Sequence, residues 1–481
     1  MPDPTPVIIW FRRDLRLEDN PALEQARHSG QRIIALYVHE TDCKKPPGAA
    51  RSWWLHFSLT SLRDDLARKG VALVIRRGKA AGILDDIIKE TKANAVFWNR
   101  RYERDRIEND RAIKADLKDR GIAVKSFRAS LLCEPWEVKT RSGEDYYRVF
   151  SPYWRAATAQ IKVTEPLVLP HAFAGFDGEI NSLSIEDLAL LPTKPDWGSK
   201  MKAYWQPGEN GAKNRLKTFL DGPVGNYTDG RNRPDKEGTS RLSPHLAFGE
   251  ISPRQVWHAA VEKLGDADEN SRSQLNKFLS EVGWREFSYV LLYHNPNLDN
   301  ENFRDNFDRF PWERNPDALV RWQKGLTGYP FVDAGMRELW ETGWQHNRVR
   351  MVTASFLIKH LLIDWREGEK WFWDTLVDAD PGSNAAGWQW VAGSGADAAP
   401  YFRIFNPFIQ GRKFDPQGEY VRRWVPELKR LPTTFIHTPW EAPEQVLGEA
   451  GVTLGDTYPA PIVDHNKARE RALAAYEETK G

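Results

Sequence analysis

Two stretches of this chain bring together residue types that could do chemistry. Thr239-Ser240-Arg241-Leu242-Ser243-Pro244 places three hydroxyls and an arginine ahead of an expected helix start. Ser243 suits the N-cap and Pro244 the first helical position, and free backbone N–H groups beside hydroxyls suit a phosphate. The same residues also suit a capped helix that binds nothing. The second stretch holds Asp378, Asp380, Asn384, Trp388 and Trp390 within thirteen residues, threaded with glycine, serine and alanine. Small residues let backbone approach a flat ligand closely, and a purely structural loop would need some other reason for this mixture. On an expected helix over 271–294, Glu281 and Trp284 are three apart and share a face. Asn347, Arg350 and Met351 share a face of the next expected helix, 344–365.

These residues need a scaffold, and the first ~130 residues supply a regular one. Apolar runs at 7–11, 33–38, 71–75, 95–98 and 122–124 read as buried parallel strands, alternating with amphipathic segments at 22–28, 53–68, 82–92 and 105–120. This alternation predicts a doubly wound α/β sheet. No GxGxxG follows the first strand, so a dinucleotide site of that kind is not expected there. Prolines recur from 131 to 205, which reads as a connector with one short helix around 153–160. Beyond 211 the pattern is helical and aromatic. The expected division is therefore 1–130 (α/β), 131–210 (connector) and 211–481 (helical), with only a short tail and one helix, 465–479, after Trp440.

Composition narrows the function classes. With 68 basic and 67 acidic residues the net charge is +1, so contact with nucleic acid would need a local basic face. No apolar run approaches the length of a membrane span, and the N-terminus lacks the pattern of a secretion signal. Two cysteines, Cys43 and Cys133, cannot build a disulfide framework or a thiolate metal site; each is expected as a small buried hydrophobe in a reducing cytoplasm. No metal is expected. Tryptophan is abundant, at 21 residues; indoles bury well, and they also stack on flat rings.

Several long motifs, in order, carry a resemblance. TSRLSPHLAFGEISPR, EVGWREF, GYPFVDAGMREL, TGWQHNRVRM, LLIDWREGE, the 378–390 stretch and DAAPYFRIFNP resemble the FAD-binding half of the photolyase/cryptochrome family, and WFRRDLRLEDNPAL resembles its start. The likeness runs from about residue 7 to about residue 430. It implies an α/β domain followed by an all-α FAD-binding domain. It also implies light-driven repair of cyclobutane pyrimidine dimers in DNA, by a monomer of the bacterial class I or class III kind.

By that resemblance, Tyr227, Thr239, Ser240, Leu242 and Ser243 hold the phosphates and ribityl chain of FAD, and Arg285 is a further contact. Arg350 and Asp378 form an ion pair against the flavin ring. Asp380 accepts from a ring N–H, and Asn384 stands beside N5. Trp388, Trp365 and Trp312 match an electron relay to the surface. Glu281 and Asn347 hydrogen-bond the damaged bases, between walls made by Trp284, Trp390 and Met351. A base acted upon inside a duplex must be flipped out, and a damaged pair opens more cheaply. Arg231, Arg348 and Arg403 match positions near the DNA backbone. Residues 99–103 lie where many members bind a second, antenna chromophore, here expected to be methenyltetrahydrofolate. The competing reading is a cryptochrome photoreceptor. Asn384, where plant cryptochromes carry aspartate, and the short tail favour repair. Gln345-His346-Asn347 also lacks the paired histidines of a (6-4) photolyase.

Overall fold

The five apolar runs become five strands: β1 (Val7–Phe11), β2 (Ile33–Glu40), β3 (Leu73–Gly78), β4 (Ala95–Asn99) and β5 (Ala123–Phe127). They come from a computed structural model that describes residues 5–140, 143–168, 172–265, 268–398 and 402–480. All pairings are parallel, in the order β3-β2-β1-β4-β5. The crossovers are α1 (Pro21–His28), α2 (Ala49–Arg68), α3 (Ala80–Thr91) and α4 (Arg104–Asp119). Every residue of β1 is buried, as a central parallel strand requires. Strand order reverses between β1 and β4, and in such sheets ligands favour the crevice at the carboxyl ends there.

The proline-rich connector contains α5 (Phe150–Gln160) and then returns along the sheet. Ile33 N–H donates to Ala174 (2.7 Å) and Leu183 N–H to Ile75 (2.9 Å). Compaction does not follow the expected division at 130 and 210. One unit comprises the chain up to Tyr147, Ser151–Asp221 and Ser240–Pro296; the other comprises Arg148–Phe150, Gly222–Thr239 and the chain from Asn297. The long helix Glu269–His294 falls in the first unit because its contacts lie there. Gly283 presses on Trp154, where a Cβ would come within 2.5 Å of the ring, and Tyr289 meets Tyr102 edge-on at 5.9 Å.

In the second unit the expected 344–365 helix is broken. An α-helix spans Asn347–Ser355, a π-helical turn follows at Phe356–His360, and Leu362 adopts φ +50. Asp364 then caps a new helix, Trp365–Thr375, by accepting from the Arg366 N–H. Apolar periodicity runs on through the break because every residue from Phe356 to Ile363 is buried. The tail holds more than was expected: a helix at Glu444–Ala450 precedes His465–Glu478, and buried Tyr458 donates to Asp333 (2.7 Å). No helix among the described residues is long and apolar enough to cross a membrane. Cys133 is buried as expected, whereas Cys43 is only half-buried.

Candidate functional site

The 378–390 stretch folds as a tight turn into the helix Pro381–Ala392, because Asp380 caps it: its Oδ1 accepts from the N–H groups of Gly382 (3.0 Å) and Ser383 (2.9 Å). Pro381 occupies the first turn, where a missing N–H costs nothing. Asp378, just before the cap, receives two hydrogen bonds from Arg350 Nη2 (2.8 and 3.0 Å). The Arg350 Nε is fixed by the Gln345 carbonyl (2.7 Å). The aspartate side chain is 2% exposed and the guanidinium 25%, so the pair presents its cationic partner outward.

Asn384 is buried one turn into the helix, and its amide orientation is imposed from outside. Its Nδ2 donates to the Glu369 carboxylate (2.9 Å) and to the Glu369 carbonyl (3.2 Å), turning the amide oxygen the other way. Glu369 was absent from the expected residues. It lies on a different helix, fifteen positions back, and no local spacing signals the pairing.

Trp388 is buried at the next turn, edge-on to Phe372 (4.9 Å) and Trp322 (6.3 Å). Gly368 makes room, since a Cβ there would lie 2.1 Å from the indole. Trp365, fully buried, donates its indole N–H to Asn302 (2.9 Å). Trp312 is half-buried and packs against the core cluster that contains Trp365 and Trp388, with Phe310 at 4.3 Å. Burial thus falls from the inner two rings to the third.

Asn347, exposed, opens the Asn347–Ser355 helix, with half-buried Arg350 and Met351 on its face. Trp390 is half-buried, with its indole N–H on the Asp397 carbonyl (3.0 Å). Arg348 donates to Asn232 (2.6 Å) and stands over Phe414. Burial lowers its pKa, and the charges of Arg231 and Arg403 lower it further. Three arginines distant in sequence therefore concentrate positive charge in one region. Tyr227 stands 5.7 Å under the Arg231 guanidinium. Thr239 follows Gly238, whose backbone meets Gly230 so closely that a Cβ would lie 2.3 Å from its carbonyl oxygen. Of the DAAPYFRIFNP motif, 399–401 lie outside the described residues.

Ser240, Leu242 and Ser243 belong to the first unit. The helix there runs Ser243–Phe248, with Leu242 rather than Ser243 at the N-cap and Pro244 second in the helix. The expected position was one residue late because Arg241, at φ +50, makes the turn before the serine is reached. On the Glu269–His294 helix, Glu281 and Trp284 are half-buried on one face, with Lys277 3.1 Å from Glu281. Arg285 donates to the Ser130 carbonyl (2.6 Å) and reaches the Leu246 carbonyl (3.5 Å), which ties the serine helix to the long helix.

Glu286 turns inward beside it. One carboxylate oxygen accepts from Leu132 and Cys133 N–H (2.7 and 3.3 Å); the other is buried without a hydrogen bond. Burial pushes this carboxyl up to about 7, against the pull of Arg285. A raised folded pKa stabilises below the unfolded value, and that stability is lost as pH rises toward 7. Glu286→Gln should therefore gain on wild type by about 1–3 kcal/mol between pH 5 and pH 8, as read by denaturant unfolding.

The 99–103 stretch is tied up internally. Asn99 donates to Asp14 (2.6 Å) and Asn20 (2.8 Å), and Arg101 pairs with Glu40 and Asp110. The cavity beside them, lined by Arg13, Asn99, Arg101 and Arg285 among others, has room for about one water, 10 Å³.

These residues fit FAD by their chemistry. A guanidinium facing outward from a buried aspartate suits an anionic ring, and an amide oxygen with fixed direction suits a ring N–H. Comparison with known proteins agrees. Residues 7–171 match the DNA photolyase family and 278–478 the FAD binding domain of DNA photolyase. A deoxyribodipyrimidine photo-lyase of Agrobacterium fabrum is 52% identical over 99% of this chain and 98% of its own. Cryptochrome-1 of Arabidopsis thaliana is 41% identical over 98% of this chain and 70% of its own. The crystal structure of a bacterial class III photolyase from Agrobacterium tumefaciens superposes with a TM-score of 0.96 at 52% identity, covering 100% of this chain and 98% of its own.

Proposed function

The chain belongs to the DNA photolyase family, and we propose that it repairs cyclobutane pyrimidine dimers in DNA through the residues described above. It binds FAD, which in the reduced state supplies an excited electron under blue or near-UV light and takes it back once the two inter-base bonds have opened. The observation that carries the reading is Asn384. A neutral amide, locked by Glu369, offers an acceptor without adding charge next to the ring. Arg350 balances negative charge there while Asp378 holds it in place. Tyr227, Thr239, Ser240, Leu242, Ser243 and Arg285 hold the rest of the cofactor, with Asp380 as a further ring acceptor. Trp388, Trp365 and Trp312 carry electrons inward when the cofactor is oxidised.

Glu281 and Asn347 address the polar edges of the flipped bases, while Trp284, Trp390 and Met351 cover their faces. Arg231, Arg348 and Arg403 neutralise backbone phosphates. The protein acts as a class III enzyme, as a monomer in the cytoplasm, with a folate antenna.

The 41% identity to a plant cryptochrome favours a second reading, a photoreceptor. One experiment separates them: illuminate FAD-loaded, reduced protein with a dimer-containing oligonucleotide and measure restored thymines. Repair is expected, and loaded protein that repairs nothing hands the case to the photoreceptor. In the same assay Glu281→Ala should lose about 1–3 kcal/mol of dimer binding with FAD content unchanged. Full activity in that variant would remove Glu281 from the lesion pocket.

A further inference from the structure

The π-helical turn Phe356–His360 buries a lysine that the reaction does not use. Lys359 is 1% exposed, and among the described residues no carboxylate pairs with it. Its Nζ donates to the Arg403 backbone carbonyl (3.2 Å) and lies 3.5 Å from the centre of the Phe402 ring. Burial alone pushes its ammonium down to about 7. A buried amine with one oxygen acceptor and one aromatic face is a net cost to the fold. The single-turn π insertion that aims it inward is itself an irregularity found frequently at functional sites.

What the lysine touches suggests why it is kept. Residues 402–406 form no helix or strand, so no backbone ladder holds them. Phe405 N–H is fixed by Ser355 (3.2 Å), and Asn406 contacts His465 (3.0 Å). Phe402 stacks on Tyr476 at 4.5 Å. Arg403 stands between these anchors, and its backbone carbonyl is fastened by Lys359.

We propose that Lys359 is a positioning residue for DNA binding: by gripping the Arg403 carbonyl and the Phe402 ring it holds the Arg403 guanidinium where a backbone phosphate meets it. The proposal rests on the reading of Arg403 as a phosphate contact. The lysine itself touches no nucleic acid, and its own charge is not what the phosphate senses.

The test compares Lys359→Met, Arg403→Ala and the double variant, all FAD-loaded, for binding to dimer-containing DNA over a range of salt. Arg403→Ala should flatten the log–log salt slope by about one unit. Lys359→Met should flatten it by a similar amount and weaken binding about fivefold at low salt. It should also raise Tm by about 2–4 °C, because a buried charge has gone. The double variant should match Arg403→Ala, since the lysine acts only through the arginine. A Lys359→Met slope equal to wild type, beside a flattened Arg403→Ala slope, overturns the proposal and leaves Arg403 standing. An unchanged slope in Arg403→Ala overturns both. A double variant flatter than Arg403→Ala means the lysine acts by its own charge, which also overturns it. Should Lys359→Met not fold, Phe402→Leu probes the same grip from the other side: a flattened slope supports the proposal and an unchanged one overturns it.

Discussion

Trp388→Phe abolishes light-driven reduction of oxidised FAD, while repair by chemically pre-reduced protein survives. Phenylalanine is far harder to oxidise than an indole, so the innermost hop, the one that would reach the cofactor, has no carrier. The phenyl ring fits the space that Gly368 clears, and the loss of ring area costs about 1–2 kcal/mol of stability, small enough for the protein to fold and load. Trp322→Phe is the matched control. Its ring also lies 6.3 Å from Trp388, but it is fully sealed in the core, with its indole N–H on the Thr353 carbonyl (3.0 Å), and it opens no route to solvent. Flavin absorbance under illumination with an external reductant reads both variants. Normal photoreduction in Trp388→Phe removes the relay. Pre-reduced Trp388→Phe that binds FAD and dimer DNA but repairs nothing shows that the ring serves the repair step instead.

Asn384→Asp lowers repair by about ten- to a hundredfold at pH 8, and the loss shrinks as pH falls. The substitution removes the donor that met Glu369 at 2.9 Å and sets two carboxylates against each other. Two like charges about 4 Å apart repel by about 4 kcal/mol in surroundings of intermediate polarity. The pair relieves this by keeping a proton, so its pKa rises. Below that raised pKa the shared proton restores a hydrogen-bonded bridge with one negative charge; above it the second negative charge faces the anionic ring. Adding Glu369→Gln removes the repulsion that raised the pKa, so the pH dependence should flatten while the carboxylate at 384 keeps repair low. Repaired dimers per absorbed photon, measured with pre-reduced protein from pH 6 to pH 9, report the effect. A flat profile at wild-type activity would show that Glu369 does not govern Asn384.

Much of the scaffold was legible in the residues because the signals were local. Five apolar runs bounded by amphipathic segments fall within a few residues of β1–β5 and α1–α4, since a parallel strand buried on both faces has few other ways to be written. The long helix opens two residues before its expected start, capped by Asp268. The Arg350–Asp378 pair was implied by the resemblance of two motifs, and the geometry contains it.

Tertiary structure decided whatever depends on partners distant in sequence. Apolar periodicity could not reveal the break near Leu362, because full burial makes a π turn, a loop and a helix look alike along the chain. The grouping of Ser240–Pro296 with the sheet unit follows from Gly283 against Trp154 and Glu286 beneath Leu132, contacts that no spacing announces. Nor could the polar residues at 99–103 announce their partners, since Asp14, Glu40 and Asp110 converge on them from other elements. Glu369 and Lys359 stayed invisible for the same reason. A side chain's type is written in the sequence, whereas the group it orients is set only when helices far apart in the chain pack together.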